Sequence, residues 1–165
     1  MAKKSERRSA TTSATQALRR FGVDFRLHSY DFDPGDLGIG EQAATALGIE
    51  PARLFKTLVV MIDDQRPAIA LTPVAAQTRM KALASALGGK RAAMIALPDA
   101  ERLTGYVKGG ISPFGQRQRL DVVVDQSVQD HDMVFVNGGR RGLQIELSPD
   151  DLITTLNASL ADLAR

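Results

Sequence analysis

Apolar positions along this chain change their period several times, and each change marks an element. Ala14, Ala17, Leu18 and Phe21 fall on one helical face, which predicts a helix over residues 14–21 ended by Gly22. Residues 23–29 alternate in part and read as a strand. Residues 41–47 read as a second helix stopped near Gly48, and Pro51 opens a short helical turn. From Phe55 to Ile62 the chain is strongly β-forming, with Leu58, Val59, Val60 and Ile62 too dense for a one-sided strand, so both faces are expected to be buried. A hairpin loop over 63–66 returns the chain through 68–72. A helix over 81–87 ends at Gly88-Gly89. A strand over 92–95 and a short helix over 98–103 follow. Further strands are expected at 122–124, 133–137 and 143–147. Ser148-Pro149-Asp150-Asp151 combines a capping serine, proline at the first helical position and an acid three residues on. It predicts a last helix running toward Leu163.

The fold class that follows is α+β: one domain over residues 14–165, with a mixed, mostly antiparallel sheet surrounded by helices. Three stretches break the periodic pattern. Residues 30–40 hold Asp31, Asp33, Pro34, Gly35, Asp36, Gly38 and Gly40. Residues 104–115 read TGYVKGGISPFG, and residues 138–142 read GGRRG.

Composition narrows the chemistry. The 165 residues include no cysteine, which removes disulfides, a thiolate nucleophile and cysteine-held metal centres. No apolar run approaches a membrane span, and no signal-peptide pattern opens the chain, so a cytoplasmic protein is expected. The formal net charge is +2, yet Lys3, Lys4, Arg7 and Arg8 stand against only Glu6 in residues 1–13. The remainder is therefore slightly acidic. Residues 1–13 read as a basic flexible tail suited to attracting RNA, and any further RNA contact needs a local patch on the body.

Conventional catalytic sets are missing. His28 and His131 are the only histidines, no G-x-S-x-G elbow surrounds a serine, and no P-loop occurs. Asp31 and Asp33 lack further ligands at a metal-binding spacing, so neither metal nor cofactor is expected. What remains is a lysine and two glycine-rich loops. Lys56 opens the long apolar strand, where it either snorkels to water or holds an oxygen in a half-buried pocket. Gly109 and Gly110 allow close approach of backbone N–H groups to a ligand oxygen, with the Ser112 hydroxyl beside them. Gly138, Gly139 and Gly142 offer the same on the second loop. Lys108, Arg117, Arg119, Arg140 and Arg141 flank the two loops and suit phosphate. From composition alone, a pair of tight turns with solvated charges stands beside the pocket reading.

Five motifs in order carry a resemblance: Leu27-His28-Ser29-Tyr30, Phe55-Lys56-Thr57-Leu58, Leu71-Thr72-Pro73-Val74, Thr104-Gly105-Tyr106 through Gly109-Gly110-Ile111-Ser112-Pro113, and Val136-Asn137-Gly138-Gly139-Arg140-Arg141-Gly142-Leu143. Together they resemble the YbaK/EbsC proteins, which include Cys-tRNA(Pro) deacylases, over about residues 15–165. The resemblance implies a barrel-like mixed sheet and trans-editing of mischarged tRNA, with prolyl-tRNA synthetase as a partner. It implies that Lys56 is essential. It also implies that Gly109 and Gly110 line the reacting ester, and that Tyr30, Thr57, Ser112 and Gly138 bind substrate. The substrate cysteine's own thiol would attack the ester, which agrees with the missing protein nucleophile. Ile39, Asn137 and Gln144 stand where phenylalanine, serine and aspartate occur in the family. They are expected to line the pocket, and Gln144 leaves open a preference for alanine or another small residue. A tRNA- or synthetase-binding module without catalysis, and a hydrolase for a different small-molecule ester, are the remaining alternatives.

Overall fold

Capping begins the ordered account of the chain. In the computed structural model, which describes residues 11–33 and 38–165, helix α1 (Ser13–Arg20) starts at Thr12. The Thr12 hydroxyl accepts from Thr15 N–H, and Thr15 Oγ1 accepts from Thr12 N–H, which satisfies two orphan donors reciprocally. The Thr12 hydroxyl also donates to Gly138 O, 2.6 Å away and 126 residues later. The cations of the expected tail lie outside the described residues, whereas Thr12 and Ser13 belong to the start of α1.

Strand β1 (Arg26–Ser29) follows, then helix α2 (Ile39–Leu47), a 3-10 turn (Pro51–Arg53) and the hairpin of β2 (Phe55–Ile62) with β3 (Arg66–Pro73). Asp63 and Asp64 turn the hairpin with positive φ, at 53° and 56°. Helix α3 (Met80–Ala86), β4 (Ala92–Met94), helix α4 (Leu97–Thr104), β5 (Asp121–Asp125), a second 3-10 turn (Gln126–Asp130), β6 (Val134–Asn137) and β7 (Leu143–Leu147) complete most of the chain. Helix α5 (Pro149–Leu156) begins as its sequence predicts, with the Ser148 hydroxyl accepting from Asp151 N–H.

The end of α5 differs from the expectation of a helix toward Leu163. Asn157 adopts the left-handed conformation, its N–H caps the carbonyls of Ile153 and Thr154, and β8 (Ser159–Ala161) then pairs in parallel with β5. The reason is tertiary. β5 would otherwise present an unpaired edge, and the buried Asp125 carboxylate accepts from Leu163 N–H to fix the returning chain.

The strands form two sheets, a three-stranded antiparallel β1-β7-β6 and a five-stranded mixed β4-β2-β3-β5-β8. An isolated parallel bridge, Leu54 to Phe135, joins them at the head of β2. The main core lies between the sheets, where Phe55, Val59, Ile69, Leu71, Val136, Ile145 and Leu147 are buried. Val60, Ile62, Ala68, Ala70 and Leu83 pack on the other side of the larger sheet. That two-sided burial is what the apolar density of β2 requires. Among the described residues no helix is long and apolar enough to cross a membrane.

Candidate active site

The small sheet has two unlike faces. Leu27, Ile145 and Val136 lie opposite one another across β1, β7 and β6, and pack in the main core. The neighbouring row, His28, Gln144 and Asn137, faces the other way, because successive side chains alternate. Beside it, Arg26, Glu146 and Phe135 form the next row on that same face. This polar face is roofed by α2, whose Ala43 and Ala44 pack with Leu54 and Phe135, and with the partly buried Tyr30 and Val74. Further along, His28 Nε2 lies 3.0 Å from Glu146 Oε1, and the Arg53 guanidinium covers the Phe135 ring at 5.2 Å.

Where this face meets the head of β2 there is a cavity of about 170 Å³. Its polar lining comes from Lys56, Thr57, Gly109, Asn137 and Gln144, and its apolar lining from Ile39, Leu54, Phe55, Val74 and Ile111. Segments more than a hundred residues apart thus meet in one hollow. Among the described residues Lys56 is its only charged lining residue, and Lys56 Nζ is held by donation to Ala76 O at 3.0 Å. Asn137 bonds to both glycine-rich loops through its carboxamide. Its Nδ2 donates to Gly109 O at 2.9 Å, and its Oδ1 accepts from Gly139 N–H at 2.7 Å.

The two loop glycines have different reasons to be glycine. Gly109 sits at φ +84°, and a Cβ there would come within 3.0 Å of Ile39 Cδ1. Gly110 packs directly on the second loop, where a Cβ would meet Arg140 Cα at 2.8 Å. Its N–H donates to Val107 O at 2.9 Å and so serves a turn.

Burial leaves an uneven set of polar groups around the cavity. Thr57 Oγ1, Gln144 Oε1 and Tyr30 Oη are buried with no hydrogen-bond partner among the described residues. Such atoms are costly in a folded protein and call for an explanation. Burial holds the Tyr30 hydroxyl above the ordinary phenol range, with the Gln144 side chain and the Gly142 backbone acting against it. Tyr30 is therefore a neutral donor at physiological pH.

Sequence-based expectations and geometry part at several residues. Lys56, Thr57, Gly109, Ile39, Asn137 and Gln144 line the cavity together. Tyr30 sits beside Gln144 without lining it. Gly138 packs under Leu143, and its N–H donates to Leu143 O at 2.8 Å. Ser112 is fully buried and its hydroxyl accepts from Phe114 N–H, so it shapes the turn. Arg140 and Arg141 border Gly109 and Gly110. Arg141 Nε donates to Lys108 O at 2.8 Å, and its guanidinium lies 5.4 Å from the Phe32 ring centroid. Arg117 instead lies against Gly105, and Arg119 faces a separate hollow beside α1. Leu54, Val74 and Ile111 were not anticipated as lining, because an apolar residue in a cavity wall has the same sequence signature as one in the core. Gly40 carried a signal: a Cβ there would strike the Val74 side chain at 2.6 Å.

Comparison with known proteins adds an independent line. Residues 38–155 match the family model described as the aminoacyl-tRNA editing domain. A protein of Enterococcus faecalis described as a Cys-tRNA(Pro)/Cys-tRNA(Cys) deacylase, EbsC, is 32% identical over 152 residues, covering 92% of each chain. The multifunctional Ser/Thr-tRNA deacylase ProXp-y of Escherichia coli is 26% identical, over 90% of this chain and 89% of its own. Among solved structures, one described as a trans-editing enzyme for prolyl-tRNA synthetase superposes with a TM-score of 0.81 at 22% identity, over 94% of this chain and 98% of its own. That likeness concerns the fold.

Proposed function

The chain belongs to the aminoacyl-tRNA editing domain family, and from that premise we propose that it clears mischarged Cys-tRNA(Pro) by cleaving the aminoacyl ester in the cavity at the head of β2. The single observation that carries the reading is the convergence of Lys56 and Gly109 on one small hollow. Its volume, about 170 Å³, lies below the roughly 300–1,000 Å³ of pockets for drug-sized ligands. A small amino acid with its ester linkage fits that scale. Editing is useful here because size alone separates similar amino acids by only about 10- to 200-fold.

In this reading the substrate supplies the nucleophile. The cysteine thiolate attacks its own ester carbonyl carbon, a carbon–sulfur bond forms, and the carbon–oxygen bond to the terminal ribose breaks. The ribose oxygen takes up a proton, and the products are a thiolactone and free tRNA. The protein's task is then to fold the aminoacyl group onto itself and to stabilise charge on the carbonyl oxygen. Gly109 N–H is the loop donor suited to that oxygen, since Gly110 N–H is already bonded within its turn. Lys56, fixed by Ala76 O, places a positive charge at the same wall. Lys108, Arg140 and Arg141 at the rim suit the phosphates of the acceptor end, and prolyl-tRNA synthetase is the partner that would supply the mischarged tRNA.

The test is single-turnover deacylation of Cys-tRNA(Pro) with product analysis. Thiolactone release by the parent protein, and a loss on the order of 100-fold or more in Lys56→Ala with an unchanged circular dichroism spectrum, are expected. Full activity in that variant would remove Lys56 from the reaction.

A further inference from the structure

We infer that residues 162–165 form a strap that positions the Lys56 ammonium for the reaction, acting through the peptide unit that joins Ala76 to Gln77. The inference rests on the editing reading above and adds positioning residues that lie outside the cavity wall. Lys56 Nζ donates to Ala76 O at 3.0 Å. Ala76 lies in the turn between β3 and α3, outside any strand or helix. A carbonyl in such a turn is only as fixed as the bonds on its own peptide unit. The other end of that unit, Gln77 N–H, donates to Arg165 O at 3.0 Å, and Arg165 N–H returns a bond to Gln77 O at 3.1 Å. A trans peptide is planar, so its N–H and C=O point in opposite directions. Holding Gln77 N–H on Arg165 therefore turns Ala76 O the other way, onto Lys56.

The strap is itself anchored. Arg79 N–H donates to Leu163 O at 2.7 Å, and Thr78 forms an antiparallel bridge with Ala164. The Arg79 guanidinium donates to Asp162 O at 2.7 Å and lies 3.0 Å from Asp162 Oδ2. The Leu163 side chain is buried with Val60, Ile62 and Leu83, and its N–H is held by the buried Asp125 carboxylate. From the strand side, Thr72 stands opposite Lys56 in the β2–β3 register, and its hydroxyl shares a hydrogen bond of 2.9 Å with Thr78 Oγ1. The turn that carries Ala76 is thus gripped between Thr72 and the strap. An ammonium donates in several directions, and the bond to Ala76 O selects one of them and leaves the others for the oxygens of an ester. Among the described residues neither Ala164 nor Arg165 lines the cavity, so their bearing on the chemistry runs through this turn.

The experiment deletes Ala164 and Arg165 in one variant and makes Arg79→Met in another. It measures kcat and KM for Cys-tRNA(Pro). In parallel it measures competitive acetylation of Lys56, Lys81 and Lys90 by trace acetic anhydride, read by mass spectrometry. The deletion should lower kcat about 10-fold or more with KM within about two-fold, because a displacement of about 1 Å at a reacting group costs that much. Acetylation of Lys56 should rise several-fold relative to the exposed Lys81 and Lys90, since an amine released from its carbonyl is more open to the reagent. Arg79→Met should move both readouts the same way by a smaller factor. Lys56 labelling unchanged in both variants would overturn the inference whatever happens to turnover. So would a rise in labelling that leaves the kcat of an active protein unchanged. If the parent cleaves no ester yet the deletion raises Lys56 labelling, the hold of the strap on Lys56 stands and the deacylase reading falls. Should the deletion not fold, Arg79→Met decides by the same two readouts.

Discussion

Two of this molecule's hollows make a contrast, and the larger of the two is the less informative. The hollow beside α1 has about 350 Å³ and is lined by Ala17, Phe21, Phe114, Arg119, Thr155 and Asn157, among others. The cavity at the head of β2 has about half that volume. Yet the smaller one has buried polar atoms without partners in and beside its wall and a lysine fixed by a backbone carbonyl. The larger one opens past an exposed Phe21, 64% accessible, and none of the buried side-chain atoms lacking partners belongs to its lining among the described residues. Volume measures where packing is loose. Unpaired buried polarity measures where the fold carries a cost that a ligand would offset.

The contrast can be broken most sharply at Lys56. Removing its amine should cost on the order of 100-fold or more in deacylation while leaving the fold intact, whereas Phe21→Ser at the rim of the larger hollow should leave turnover within about two-fold. Equal effects of the two substitutions on turnover would erase the distinction between the hollows. Next in size is Gly110→Ala. Its new Cβ would be 2.8 Å from Arg140 Cα, a backbone atom that cannot yield cheaply. A destabilisation of about 1–3 kcal/mol in urea unfolding is expected.

A subtler test separates function from stability. Thr57→Val replaces an unpartnered buried hydroxyl with a methyl of similar shape, so stability should stay within about 1 kcal/mol of the parent or rise. Turnover of the cysteinyl ester should nevertheless fall about 10-fold. Loss of stability in Thr57→Val would mean that the hydroxyl is satisfied within the protein, and the cavity would lose its special status. The smallest effect belongs to the rim. Arg141→Ala removes one exposed cation, so tRNA affinity should drop a few-fold and the slope of log affinity against log salt should shrink by roughly 0.7–0.9. An unchanged slope would move the phosphate contact elsewhere.

Much of the architecture was legible in the chain. β2 showed in its apolar density, the 63–66 loop in its paired aspartates, and the start of α5 in Ser148-Pro149. Boundaries moved by one or two residues where caps decided them, as when α1 began at Ser13, capped by Thr12, rather than at Ala14. β8 was not legible. Ser159–Ala161 has no strong strand pattern, and it is a strand because β5 offers an edge and Asp125 holds Leu163. Within the site, Lys56, Gly109 and Gln144 were singled out in the sequence and line the cavity, whereas Gly110 and Ser112, singled out with the same loop motif, bond within their own turns. Whether a loop N–H or hydroxyl faces a ligand or closes its own turn depends on hydrogen bonds that composition does not encode.

The sequence by itself determined which segments become strands and helices, because local periodicity, caps and turn residues act over a few positions. It also determined that any chemistry must proceed without a cysteine of the protein's own. Tertiary structure alone decided that residue 56, residue 109 and residue 144 face one another, and which polar atoms there remain unpaired. The physical reason is range. A propensity is settled by neighbours in the chain, whereas the environment of a buried carboxamide is settled by strands that pair across more than a hundred residues.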